Sequence, residues 1–226
     1  MPKVLRAPSP QKLEHARRCG EALKKAYPDA ACALLHTNPF QLLISTILSA
    51  QCTDARVNMV TPGLFKRYPT PADFAEANRT ELERMIQSTG FFRAKARSIQ
   101  ESCRDIVEKH GGNVPCTLEE LTALRGVGRK TANVVLGNAF GVPGMVVDTH
   151  VGRISRRLNL TKNEDPEKVE QDLMRLFPPE RWTSLAHEMI LHGRKFCKAP
   201  TPRCTGCPLL ELCPYPRKTV GSGSKQ

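Results

Sequence analysis

Residues 121–132 read Leu-Thr-Ala-Leu-Arg-Gly-Val-Gly-Arg-Lys-Thr-Ala, two helical patterns joined through Gly126-Val127-Gly128. Glycine carries no Cβ, so these two positions open backbone angles closed to other residues and let a phosphate come close. The second helix begins near Arg129. Its first amide N–H groups have no partner inside the helix and stand at the positive end of its dipole. The combination predicts a phosphate-binding corner, one that grips a backbone and is blind to base sequence. Gly-x-Gly alone reads equally well as an ordinary tight turn between helices. The basic pair Arg129-Lys130 and the charge of the whole chain favour nucleic acid.

That charge is large. The 226 residues hold 34 Lys and Arg against 22 Asp and Glu, a formal net charge of +12. Such a surplus repels itself and suggests a polyanionic partner, either nucleic acid or an acidic membrane surface. No apolar run is long enough to span a bilayer. Met1 to Gln11 lacks the apolar stretch of a signal peptide, so the chain is expected to stay inside the cell, cytoplasmic and nucleoid-associated if bacterial.

Outward from the hairpin, helix signals repeat. Ser9-Pro10, Asn38-Pro39, Thr70-Pro71 and Asp165-Pro166 each pair a capping side chain with a proline suited to the first helical position. Gly90, Gly111-Gly112 and Pro178-Pro179 stop helices. Thr117 followed by Glu120 reads as a capping box. Phe40 to Ala50 is the most apolar stretch and is expected deep in a core, while Ile99, Cys103, Ile106 and Val107 mark the expected buried stripe of a helix from about Arg93 to His110. Sustained period-two alternation is absent, so the expected fold is all-α. Residues 1–8 and 218–226 are low in complexity and are expected to be disordered tails.

Nine cysteines without a secretion signal argue against a disulfide framework. Cys19, Cys32, Cys52, Cys103 and Cys116 read as small buried apolar residues. Cys197, Cys204, Cys207 and Cys213 are separated by six, two and five residues. Four thiols so close together imply a metal centre, zinc or iron–sulfur. Only Cys204/Cys207 has the short spacing of a zinc knuckle.

Leu124 to Ala132, followed by Val147-Asp148-Thr149-His150, resembles the helix-hairpin-helix and catalytic-aspartate signature of the endonuclease III family. The resemblance runs from about Phe40 to Cys213 and takes in Ser49-Ala-Gln-Cys-Thr-Asp54, the Gly90 turn, Leu191-His-Gly-Arg194 and the four-cysteine tail. It implies a DNA glycosylase that also cuts the strand as an abasic-site lyase, acting on oxidised pyrimidines in double-stranded DNA, as a monomer. It implies two helical lobes, one of residues 32–143 and the other of 9–31 plus 144–216, with a DNA cleft between them, and a 4Fe–4S cluster on the four C-terminal cysteines.

The resemblance also assigns roles. Lys130 matches the nucleophile: an amine that attacks C1′ forms a Schiff base and so permits β-elimination, which water cannot do. The helix start and Arg129 are expected to help it shed its proton. Asp148 matches the catalytic carboxylate, and it also suits a helix N-cap. His150 is expected to be structural. Gln51 matches a residue inserted beside the orphaned base. Phe91 stands at the wedge position, where the family's common member has an aliphatic side chain; a core aromatic beside Phe92 is the alternative. Gly126, Gly128, Arg129 and Thr131 of the hairpin, and Arg194, Lys198 and Arg203 around the cysteines, are the expected DNA contacts. The competing readings are a non-catalytic iron–sulfur DNA-binding module and a monofunctional mismatch glycosylase, neither of which needs an amine at position 130.

Overall fold

The computed structural model describes residues 7–219. In chain order the helices are α1 (Pro10–Ala26), α2 (Pro39–Leu48), α3 (Asp54–Arg67), α4 (Pro71–Glu76), α5 (Arg79–Ile86), α6 (Phe92–His110), α7 (Leu118–Ala123), α8 (Arg129–Ala139), α9 (Thr149–Arg157), α10 (Pro166–Leu176) and α11 (Trp182–Lys195). Two short 3₁₀ turns, Gln87–Thr89 and Pro179–Arg181, complete the elements. Among the described residues there is no strand, and no helix is long and apolar enough to cross a membrane. The fold is all-α and two-lobed.

The helix starts follow from side-chain caps. Asn38 Oδ1 accepts the Gln41 N–H at 2.9 Å, and Asp165 Oδ1 accepts the Lys168 N–H at 3.0 Å. Thr70 and Asp73 form a full capping box. Thr117 forms half of one: its hydroxyl accepts the Glu120 N–H at 3.2 Å. The Glu120 carboxylate accepts that same hydroxyl at 2.6 Å. α3 is capped as well, the Thr53 hydroxyl accepting the Arg56 N–H at 3.3 Å, but its apolar pattern is weak. It buries only Val57, Thr61 and Leu64 and contains Pro62, which is why periodicity did not reveal it.

One compact unit is Cys32–Val142. Its centre is α2, in which Phe40 and every residue from Leu42 to Leu48 is buried. α6 and α8 pack on it, α8 through Ala132, Val135 and Leu136 and α6 on a face that buries Ile99, Cys103 and Ile106 but not Val107, which lies one residue round the helix and is exposed. Phe74 sits edge-on to Phe40, ring centroids 5.5 Å apart. Burying such side chains supplies about 1.5–3 kcal/mol each, the main force holding the hairpin in place.

The second unit is Met1–Ala31 with Pro143–Gln226. α1 packs on α10 and α11 through Ala16, Cys19 and Leu23. α9 lies against α11, and Gly193 makes this possible: a Cβ there would stand 2.5 Å from His150 Nδ1. Lys218 Nζ donates to the Leu210 carbonyl at 3.0 Å, and the Thr219 hydroxyl donates to the Pro202 carbonyl. These two residues of the expected disordered tail are therefore held by the cysteine segment. Residues 1–6 and 220–226 lie outside the described residues.

The five scattered cysteines are not uniformly core residues. Cys19 and Cys103 are buried, Cys32 and Cys52 half-buried, and Cys116 exposed. Cys116 immediately precedes Thr117 at the start of α7, where the chain runs over the surface and offers nothing to pack against.

Candidate nucleic-acid interface

The hairpin turn between α7 and α8 rests on α6. Gly126 has φ +76, and a Cβ there would lie 2.7 Å from Ser98 Cβ. Ser102 Oγ donates to the Arg125 carbonyl at 2.6 Å, and Arg125 Nε pairs with Glu101 at 3.1 Å. Glycine at 126 is thus required twice, by angle and by space. Gly128 is different: its φ of −90 and ψ of 174 suit any residue, and a Cβ there would meet nothing within 4 Å. The conformational freedom expected of both glycines belongs to Gly126 alone. Gly128 is instead the N-cap of α8, makes no side-chain cap bond and leaves open space before the helix start. Arg129 and Lys130 are exposed there, and Thr131 is half-buried.

In the same unit, Gln51 and Phe91 both adopt left-handed backbone, φ 53 and 48. Few non-glycine residues do so without a structural cause. Phe91 is 66% exposed, while its neighbour Phe92 packs against the core. The core-aromatic reading of Phe91 is therefore overturned: Phe92 holds that place. Gln51 is exposed and lies three residues beyond the end of α2. Sequence reasoning missed the residue that joins these two turns. Lys95 is buried, and its Nζ donates to the carbonyls of Leu48 at 2.8 Å and Thr89 at 2.7 Å. Burial pushes its pKa down from the usual lysine value.

In the second unit Asp148 is half-buried and caps α9, its Oδ1 accepting the Val151 N–H at 2.8 Å. His150 packs closely on Gly193. Arg153 Nη2 lies 3.0 Å from His150 Nδ1, and Arg153 Nε donates to the Cys197 carbonyl at 2.9 Å. The imidazole is embedded in this packing.

Cys197, Cys204, Cys207 and Cys213 line one cavity, with Phe196 and Leu209 among its apolar walls. Arg157 closes one side. Its Nη1 donates to Cys197 Sγ at 3.3 Å and to the Lys198 carbonyl at 2.8 Å, and its guanidinium stacks 4.7 Å from the Tyr215 ring centre. Burial pushes the Cys207 and Cys213 thiols up, and the neighbouring thiols add to this. Among the described residues no three His, Cys, Asp or Glu side chains are gathered tightly enough to hold a metal ion. Of the basic residues expected nearby, Arg194 and Arg203 are exposed and Lys198 is half-buried. Arg153 and Arg157, which hold the cysteine segment to α9, were not singled out by sequence; their four-residue spacing on one helix face was the available signal.

Residues 44–179 match the family model of HhH-GPD superfamily base excision DNA repair proteins. The chain is 55% identical over 193 residues to Endonuclease III of Synechocystis sp., covering 85% of this chain and 88% of that protein. This chain belongs to the endonuclease III family. Two solved structures from the endonuclease III family align at 49% identity with a TM-score of 0.86, each covering 90% of this chain. One is a non-covalent DNA complex, matched over 95% of its chain, and the other a trapped covalent DNA intermediate with an estranged adenine, matched over 96%.

Proposed function

We propose that this endonuclease III family member excises oxidised pyrimidines from double-stranded DNA with Lys130 as nucleophile, then nicks the strand 3′ to the abasic site by β-elimination. It is a DNA glycosylase and abasic-site lyase, and its partner is duplex DNA carrying damaged bases or abasic sites. The observation that carries the residue assignment is the position of Lys130, exposed in the first turn of α8 beside a phosphate-binding corner. A relative at 49% identity has been trapped covalently on DNA, and a covalent intermediate requires a nucleophile from the enzyme.

In the first step the uncharged Lys130 amine bonds to C1′ as the bond from C1′ to the base breaks. The base leaves with that electron pair and takes up a proton. The nitrogen gives up one proton, its lone pair expels the ring oxygen O4′, which keeps the C1′–O4′ pair and takes up a proton, and a protonated imine remains at C1′. The imine acidifies C2′; a C2′ proton departs, and the C3′–O bond breaks with the phosphate oxygen keeping the pair. Water then hydrolyses the imine and frees Lys130. The Asp148 carboxylate stabilises positive charge developing on the sugar and accepts a proton from the attacking amine. Its bond to the Val151 N–H fixes its orientation. Gln51 fills the space left by the extruded nucleotide, since its amide both donates and accepts. Phe91 wedges between bases as an exposed aromatic.

The cysteine cavity supports a 4Fe–4S cluster held by Cys197, Cys204, Cys207 and Cys213. Four sulfur donors, apolar walls and a guanidinium N–H on Cys197 Sγ fit anionic sulfur ligands around a cationic core. When bound, the group supplies a rigid pin that holds the segment 198–203 so that Lys198 and Arg203, with Arg194, meet phosphates.

Borohydride reduction on lesion-bearing duplex tests the reading. A bifunctional enzyme leaves a covalent protein–DNA adduct that vanishes in Lys130→Ala. An adduct that persists in that variant removes Lys130 from the role, and no adduct in the wild-type chain returns the protein to a monofunctional glycosylase or a passive binder.

A further inference from the structure

Gln51 and Phe91 lie forty residues apart in the chain, yet both turns end on one side chain. α2 stops at Leu48; the Ser49 and Ala50 N–H groups turn back to the Ser45 and Ile47 carbonyls, and the Leu48 carbonyl at the helix end is left to a side chain. The 3₁₀ turn Gln87–Thr89 stops just before Phe91 and leaves the Thr89 carbonyl in the same condition. Lys95 Nζ reaches both, at 2.8 and 2.7 Å, from the first turn of α6. An ammonium suits the negative end of a helix, and these two bonds offset the burial of a side chain only 5% exposed. The same face of α6 continues through Ser98 and Ser102, which brace the hairpin turn at Gly126 and Arg125. Lys95 and Ser102 are seven residues apart, roughly 10.5 Å along the helix. One rigid helix thus spaces the Gln51 and Phe91 turns from the phosphate corner.

We propose that Lys95 is a positioning residue that locks the Gln51 and Phe91 turns together, so that the two side chains meet the duplex as one preformed wedge. The inference rests on the reading of Gln51 and Phe91 as inserted residues. Each is exposed and each is held in left-handed backbone, a conformation that persists only where surroundings impose it. Lys95 is the shared element of those surroundings. Its contribution is to the opening of the base pair and not to the chemistry at C1′. A substrate that needs no opening should therefore be indifferent to it.

The experiment compares Lys95→Met with wild type on two substrates, a duplex containing thymine glycol and a single strand containing an abasic site. Lys95→Met is expected to lower kcat/KM on the duplex at least tenfold while changing β-elimination on the single strand less than threefold. With 2-aminopurine opposite the lesion, the fluorescence change on binding is expected to be lost. Equal loss on both substrates, or no loss on either, overturns the proposal. Gln51→Ala and Phe91→Ala run beside it: if they spare the duplex the inserted-residue reading fails, and if they impair it while Lys95→Met does not, only the role of Lys95 fails. Lys95→Gln keeps an amide donor for one carbonyl and is expected to fall between. Hydrogen exchange on the wild-type chain needs no variant: amides 50–52 and 89–91 should slow together on a duplex bearing a tetrahydrofuran site, and independent responses overturn the lock.

Discussion

Gly126 lies so close to Ser98 that a Cβ added to it would stand 2.7 Å from the Ser98 Cβ. The hairpin turn is seated on α6 with no room for a methyl group, and its φ of +76 adds a second barrier. Gly126→Ala is expected to cost about 2–3 kcal/mol, since a left-handed alanine alone costs ~1–2 kcal/mol and the clash adds to it. Gly128→Ala should change stability by less than about 1 kcal/mol yet weaken DNA binding, because its methyl would occupy the space a phosphate enters. Thermal denaturation and equilibrium binding of the two variants separate structure from contact.

Lys130→Ala is expected to abolish the borohydride-trapped adduct and bring both base excision and strand cleavage below about 1% of wild type. The residue is exposed, so unfolding free energy should move by no more than ~0.5 kcal/mol. Trapping gels and denaturant titration give both readouts.

Asp148 joins a structural bond to a proposed chemical duty, and two substitutions divide them. Asn is as good an N-cap as Asp, so Asp148→Asn should keep stability within ~0.5 kcal/mol while excision falls by about 10²–10⁴. Asp148→Ala should lose the bond to the Val151 N–H as well and cost a further ~1 kcal/mol. Equal activity in Asn and wild type would remove the carboxylate from the mechanism.

The helix starts were legible because each rests on neighbours in sequence. A capping side chain and the proline after it act within three residues, as at Asn38-Pro39 and Asp165-Pro166. The hairpin was legible for the same reason. α3 was not, because Pro62 lies inside it and its buried positions are few. Lys95 stands between Arg93 and Arg97 in a basic stretch, and nothing local marks it off from them; only the fold brings Leu48 and Thr89 to its ammonium. The equivalence of Gly126 and Gly128 failed for a like reason: the composition is shared, but Ser98 stands behind only one of them. The cysteines' spacing pointed to a metal centre, while the two arginines that hold their segment arrive from α9, forty residues earlier.

Arg157 should matter to the cysteine segment beyond its charge. Arg157→Ala removes N–H donors from Cys197 Sγ and from the Lys198 and Pro200 carbonyls. Losing a bond to a charged partner costs about 1.5–3 kcal/mol. Visible absorbance in the blue and iron per chain, followed during exposure to a chelator, should decay faster than in wild type. Cys204→Ser should lower both from the outset.

The pKa of His187 is lowered from 6.5 by burial. Its neutral form is favoured in the folded chain, so at pH above about 6.5 it costs nothing. As pH falls below that value the unfolded chain takes up the proton first, and stability is lost, by at most about 1.4 kcal/mol per pH unit for one proton. Urea titrations between pH 7 and 5 should show a shallower loss for His187→Gln than for wild type.

The discontinuity of the second unit has a consequence for biosynthesis. Residues 32–142 form a contiguous body that can condense on the ribosome as soon as it emerges. α1 is made first, but its partners α10 and α11 begin at Pro166 and Trp182. Its apolar stripe of Ala16, Cys19 and Leu23 must wait, uncovered, until α10 and α11 have been translated. Nascent chains stalled before Pro166 would therefore be the form most in need of a chaperone.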